Sequence, residues 1–162
     1  MSEILGTLFK YLVSLLGVGA VVLILYQVFG ANKAQTALSD LTILQTNAQT
    51  LYSGQSTFTS LTNTVAINGK LAPDSMIQGG ALQNPWGGAI TVKVSANAGQ
   101  FDVTEPAVPS KDCATMATSM NSVVGLKING TAQTLPMEAG AAVNACNVTT
   151  AAGNTMIFTF SH

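Results

Sequence analysis

Arginine is absent from this chain, and charged residues of all kinds make up only 8% of it, against about 25% in an ordinary soluble domain. The six lysines, Lys10, Lys33, Lys70, Lys93, Lys111 and Lys127, are scattered. No basic stripe exists for a phosphate backbone, which excludes nucleic-acid binding by a basic patch. The sequence also lacks GxxxxGK[ST], HExxH and GxSxG, and with them the common phosphate-cradling, zinc-protease and serine-hydrolase sites. One histidine, His162 at the very end, and two distant cysteines without a CxxC do not make a zinc site. No enzyme, metal or cofactor is expected.

Single residues that could suggest chemistry have plainer readings. Asp102 and Glu105 read as a solvated strand end beside Pro106 rather than an acid/base pair. Trp86 reads as a core aromatic closing a turn rather than a sugar-stacking platform, and His162 as a frayed terminus. Asn129-Gly130-Thr131 and Asn147-Val148-Thr149 match a glycosylation acceptor, a weak pattern at this length.

Mean hydropathy is +0.39. Setting aside the first thirty residues does not restore a charged exterior, because Thr, Ser, Asn, Gln and Ala occupy the surface positions instead. A dispersed monomer needs interspersed charge, so this exterior suggests a protein that packs against neighbours. The plainer alternative is a secreted domain with an uncharged surface.

What the chain has in abundance is apolar sequence at its start. Residues 4–29 read ILGTLFKYLVSLLGVGAVVLILYQVF, with Lys10 the one charge. Residues 12–29 alone would make a helix of roughly 27 Å, about one hydrocarbon thickness. The run is apolar on every side, so it is not an amphipathic surface helix. A bilayer could hold it, as could the middle of a bundle of copies of itself. It opens without lysine or arginine and closes without a small-residue cleavage site, so it is not a removable secretory signal. It is expected to be a retained anchor, or a segment exposed by cutting off an earlier leader.

Beyond Gly30, apolar residues recur at intervals of three and four: Ala34, Ala37, Leu38, Leu41, Leu44, Ala48, Leu51 and Tyr52. This is one amphipathic stripe. No proline or turn cluster precedes it, so one long helix is expected over about residues 4–52, stopped at Ser53-Gly54. Residues 55–66 fit a short helix or an irregular link. Turns follow at Asn68-Gly69, Pro73-Asp74 and Gln78-Gly79-Gly80. Asn84-Pro85-Trp86-Gly87-Gly88 turns the chain into an alternating, β-branched strand over residues 89–94, and Asn97-Ala98-Gly99 into a second from residue 100. Ser110-Lys111-Asp112 is expected to cap a helix reaching about Asn121. A strand over residues 123–128 ends in an Asn129-Gly130 turn. Glu138 to Ala145 reads as a short helix or loop, and residues 156–160 as a final strand in mid-sheet.

The expected fold class is therefore α+β, a long N-terminal helix packed on a small antiparallel sheet. The expected domains are residues 1–30, a hydrophobic anchor or filament core, and residues 31–162, a globular head that includes the amphipathic half of the helix. Cys113 and Cys146 both lie in the head. In a domain exported past a membrane they are expected to pair; two free buried thiols, as in a cytosolic protein, conflict with the anchor.

These pieces resemble the type IV pilins: a charged residue before an apolar helix, an amphipathic continuation, a β-containing head and a late cysteine pair. Among them the chain looks most like the type IVb group, and in particular the major pilins of conjugative thin pili. The residues behind this are LTILQTNAQTLY at 41–52, the Leu82-Gln83-Asn84-Pro85-Trp86-Gly87-Gly88 entry to a strand, and the Cys113 helix. The resemblance implies a self-assembled helical filament on the cell surface, serving adhesion or cell–cell contact such as conjugation. It further implies an inner-membrane pool before assembly, a dedicated pilus assembly machinery, and a disulfide in the C-terminal region. Three features depart from the family. The acid is Glu3 rather than the fifth mature residue, Lys10 is charged where pilins are not, and no leader ending in glycine is present, so Met1 is taken as the first mature residue. In a filament core Glu3 and Lys10 cannot reach water. Seven positions apart they lie roughly 10 Å apart along a helix, so Glu3 of one subunit is expected to pair with the Met1 amine or Lys10 of another. Gly17 and Gly19, flanked by Val13 and Val18, mark the expected weak point of the helix. Two other readings stand beside the major subunit: a low-copy initiator or tip subunit, and a membrane-anchored periplasmic binding domain that never polymerises.

Overall fold

The structure is a computed structural model. It describes the backbone of residues 2–162, and the side chains of these except residues 2, 5, 12 and 15–32. Helix α1 spans Ser2–Leu51. The chain divides into two compact units, Met1–Lys33 and Ala34–His162. Among the described residues no helix is long and apolar enough to cross a membrane; most of the apolar run at 12–29 lies outside them.

In the second unit the amphipathic stripe of α1 is buried as its spacing requires. Ala34, Ala37, Leu38, Leu41, Leu44 and Ala48 are all core residues, with Leu41, Leu44 and Ala48 fully enclosed. Four side chains flanking the stripe bond to other parts of the head. Asn47 Nδ2 donates to the Leu71 carbonyl and Gln49 Nε2 to the Ser161 carbonyl; Gln45 Oε1 accepts from the Ser122 hydroxyl, and Asp40 Oδ1 from the Ser75 hydroxyl. Apolar burial supplies the attachment, and these bonds fix its rotation.

After α1 come a short helix α2 (Asn63–Asn68), one 3-10 turn (Asp74–Met76) and a two-residue hairpin, β1 (Ile77–Gln78) with β2 (Ala81–Leu82). The main sheet follows: β3 (Thr91–Val94), β4 (Gln100–Val108), β5 (Gly125–Ile128), β6 (Thr131–Gln133) and β7 (Asn154–Ser161). Two helices interrupt it, α3 (Ser110–Ser119) and α4 (Ala139–Ala145). The strand order is β3-β4-β7-β5-β6, antiparallel throughout. The last strand of the chain thus lies at the centre. Its alternation is strict, with Asn154, Met156, Phe158 and Phe160 buried. Across it, Phe160 faces Phe101, and Phe158 faces Val103 on β4 and Leu126 on β5. The β5–β6 hairpin turns on Asn129 (φ 51°) and Gly130 (φ 83°), the paired positive φ of a tight two-residue turn.

The observed fold is the expected α+β arrangement. Several details differ. Helix α3 stops at Ser119 and β5 starts at Gly125, because Met120 and Val123 are used as core plugs in the connection between them. Ser110 does not cap α3: its hydroxyl donates to the Val148 carbonyl at 2.8 Å, and the cap position is Pro109. His162 is not frayed, for its ring stacks on Phe58 with centroids 4.2 Å apart.

Candidate functional site

Cys113, fully buried on the inner face of α3, and Cys146, just past α4, form a disulfide with Cα atoms 5.8 Å apart. Two side-chain amides hold the same region, Asn154 buried and Asn129 at the surface. Asn154, fully enclosed, donates through Nδ2 to the carbonyls of Val108 and Val148 and accepts at Oδ1 from Val148 N and Asn129 Nδ2. Asn129 in turn donates to the Ala145 carbonyl and accepts from Thr155 N. The segment after Cys146 has no strand of its own, so side-chain amides supply the bonds that a ladder would otherwise give.

A second fixed point lies where β4 changes register. Glu105 pairs with Met156 and Val108 with Asn154, so Pro106 and Ala107 stand opposite one residue, Thr155. This is a β-bulge, with Ala107 in the left-handed region at φ 59°. Pro106 has no N–H to give the ladder and fits a bulge for that reason. Asn84, 1% exposed, clasps it. Its Nδ2 donates to the Pro106 carbonyl at 2.6 Å, while its Oδ1 accepts from Gly88 N at 2.7 Å and Trp86 N at 3.2 Å. Backbone packs directly on backbone here: a Cβ on Gly88 would lie 2.5 Å from the Pro106 carbonyl oxygen, and one on Gly153 would lie 2.5 Å from the Ala107 carbonyl carbon. Trp86 Nε1 reaches the Asp112 carboxylate at 3.0 Å, tying the turn to α3.

The N-terminal residues are arranged differently. Ile4, Leu8, Phe9, Tyr11 and Val13 are between 55% and 72% exposed. Glu3 and Lys10 are also exposed, and neither forms an ion pair with a described residue. The Thr7 hydroxyl donates to the Glu3 carbonyl.

Of the residues singled out from sequence, the structure brings Cys113 and Cys146 together and leaves Glu3 and Lys10 apart. Met1, and Gly17 and Gly19 at the expected weak point, lie outside the residues described in full. One reading is corrected. Glu105 is not a solvated strand end: it is 1% exposed, because it shares the inward period of Phe101 and Val103. Burial, opposed by the Asn84 bond and reinforced by the charge of Asp40, pushes its carboxyl up to about 7. Asp102, on the outward phase, accepts from the Thr159 hydroxyl instead. The inward period was a signal in the sequence; the clasping role of Asn84 had none, since the bulge it holds lies 22 residues away.

A long helix whose second half packs on a five-stranded antiparallel sheet, closed by a late disulfide, is the pilin fold, and the class is that of type IV pilins, structural subunits rather than enzymes. The chain belongs to the Bundlin family, whose model matches residues 29–161. It is similar to the crystal structure of a type IV b pilin from Salmonella typhi, with 26% identity, a TM-score of 0.65, and coverage of 79% of this chain and 99% of that one. An NMR structure of the Salmonella typhi type IVb pilin PilS matches at 25% identity and TM-score 0.56, covering 80% of this chain and 96% of the other. TcpA, a type IV pilin from Vibrio cholerae El Tor biotype, shares the fold at 15% identity and TM-score 0.56, covering 80% and 99%. No curated protein sequence matches the chain. Family and structural matches together place it in the type IVb group.

Proposed function

We propose that this pilin subunit polymerises into a type IVb-like pilus on the bacterial surface, with the N-terminal helices packed together in the centre and the heads outside, for adhesion or cell–cell contact such as conjugation. The observation that carries this reading is the exposure of Ile4, Leu8, Phe9, Tyr11 and Val13. Each such side chain gains about 1.5–3 kcal/mol on full burial, so the segment calls for a covering. A bilayer covers it in the subunit awaiting assembly, and neighbouring copies cover it in the filament. In the membrane Glu3 and Lys10 can both reach one interface. In the filament core each needs a partner, and Glu3 of one subunit meets the Met1 amine or Lys10 of the next. The assembly machinery moves the subunit between these two states.

The test is mechanical shearing of cells, followed by electron microscopy and immunoblotting of the released material. The reading expects abundant filaments built of this chain. Detergent-soluble monomers with no sheared polymer would mean an anchored periplasmic domain instead, and filaments containing the chain only in trace amounts would mean an initiator or tip subunit.

A further inference from the structure

Glu105 sits in the core of the head with one oxygen unanswered: Oε2 has no hydrogen-bond partner. Asp40, on the buried side of α1 and only 6% exposed, is close enough for its charge to act on Glu105. The Ser75 hydroxyl occupies Asp40 Oδ1 at 2.7 Å. Among the described residues no basic side chain pairs with either acid. The groups acting on Glu105 are Asn84 from the turn before β3 and Asp40 from α1; on Asp40, besides burial, it is Ser75 from the 3-10 turn. Asp74 beside Ser75 and Asp112 on α3 are further acids on neighbouring elements, and uncharged Met156 stands opposite Glu105 on β7. Two carboxylates this enclosed, without a cation, repel each other and lose hydration if both ionise.

We propose that Asp40 and Glu105 are not both ionised in the folded head, which makes the packing of α1 on the sheet pH-sensitive, firm while one acid is protonated and weaker when both are charged. This concerns the head alone and stands whether or not the subunit polymerises. The orphan Oε2 is where the retained proton belongs, because a neutral carboxyl left without a partner loses far less on burial than a carboxylate does. The position is telling: Glu105 immediately precedes the bulge, so a shift there reaches the Asn84 clasp as well as the helix.

The direction of the pH effect follows from the proton count. In the folded head burial raises Asp40, against the pull of its Ser75 bond, and raises Glu105 to about 7 from an ordinary value of 4.5. The folded state therefore holds more protons than the unfolded chain across that interval. Stability from this source is complete below the interval, falls as pH rises through it, and levels off above it.

The test is urea unfolding of the chain in detergent from pH 4 to 9 with a chelator present, on wild type, Glu105→Gln and Asp40→Asn, together with carboxyl NMR titration of the wild type. Wild type should show an unfolding constant that rises about 100-fold between pH 4.5 and 8. Glu105→Gln keeps a partner for Asn84 but cannot ionise, and it should remove most of that rise. Asp40→Asn should lower the Glu105 midpoint by removing the like charge. In the NMR titration one glutamate should stand apart near neutrality. The proposal is overturned if every glutamate titrates below pH 5, or if Glu105→Gln leaves the pH profile unchanged. It is also overturned if calcium alone restores wild-type stability at pH 8, since the pair would then hold a cation rather than a proton.

Discussion

Asn84 and Asn154, each at most 1% exposed, use both ends of their amides on carbonyls and N–H groups of the head, whereas Ile4, Leu8, Phe9, Tyr11 and Val13 are all more than half exposed and Glu3 and Lys10 carry no ion pair with a described residue. The head is held by apolar burial and a disulfide, with polar side chains standing in where the ladder stops. The described side chains between Glu3 and Ser14 are exposed. Near-complete satisfaction in one region, with Glu105 Oε2 the exception, and incomplete satisfaction in the other suit a subunit that stays folded alone and joins copies of itself in the filament proposed above. In that proposed filament, apolar area supplies the drive and the two charges the register.

The comparison can be broken first at the N-terminal end. Glu3→Gln should abolish filaments while the chain still inserts into the membrane, since stranding one member of a buried charge pair costs about 3–5 kcal/mol. Sheared-filament yield against membrane-fraction content measures this, and exchanging Glu3 and Lys10 should restore part of the yield. The head should unfold unchanged in this variant.

Breaking the other side should do the reverse. Cys113→Ser opens a loop with a sequence separation of 33 residues, worth roughly 3–4 kcal/mol in the chain-entropy account. Urea unfolding of wild type with and without reductant should show a matching loss, with membrane insertion intact and pilus yield lowered. Equal stability in both conditions would mean that the amides alone hold the C-terminal region.

A smaller effect should come from Asn84→Ala. It strands the Pro106 carbonyl and two N–H groups against a bulge that Gly88 and Gly153 already crowd. Buried unsatisfied groups cost about 1–3 kcal/mol each at full penalty, and water entering the space left by the side chain lowers the total to about 2–3 kcal/mol. The change should appear in urea midpoints, and hydrogen exchange should quicken at Ile90 and Val92, the edge strand next to this turn, before it does in β7.

Periodicity made the helix and the central strand legible in the sequence. The apolar spacing of residues 34–52 marks the stripe that packs on the sheet, and the alternation of residues 156–160 marks a mid-sheet strand; both follow from the repeat of a single element. The cysteine pair was legible from its export context. The bulge at Pro106-Ala107, the Asn84 clasp and the inward-facing Glu105 were harder, because each depends on contacts between distant segments that no local pattern encodes. Glu105 is instructive. Its alternation with Phe101 and Val103 pointed inward, and the expectation that charge lies outside overrode the period. His162 was similarly hidden, since only Phe58, 104 positions earlier, explains its place.

The most direct test of the central claim is an electron-microscopy map of filaments sheared from cells that express this chain. The account predicts a filament with the N-terminal helices at its centre and the heads outside, in which the Glu3 carboxylate of each subunit lies within about 4 Å of the Met1 amine or Lys10 ammonium of a neighbour, as an ion pair in low dielectric demands. Filaments in which Glu3 faces water, or contacts only apolar side chains, would contradict it.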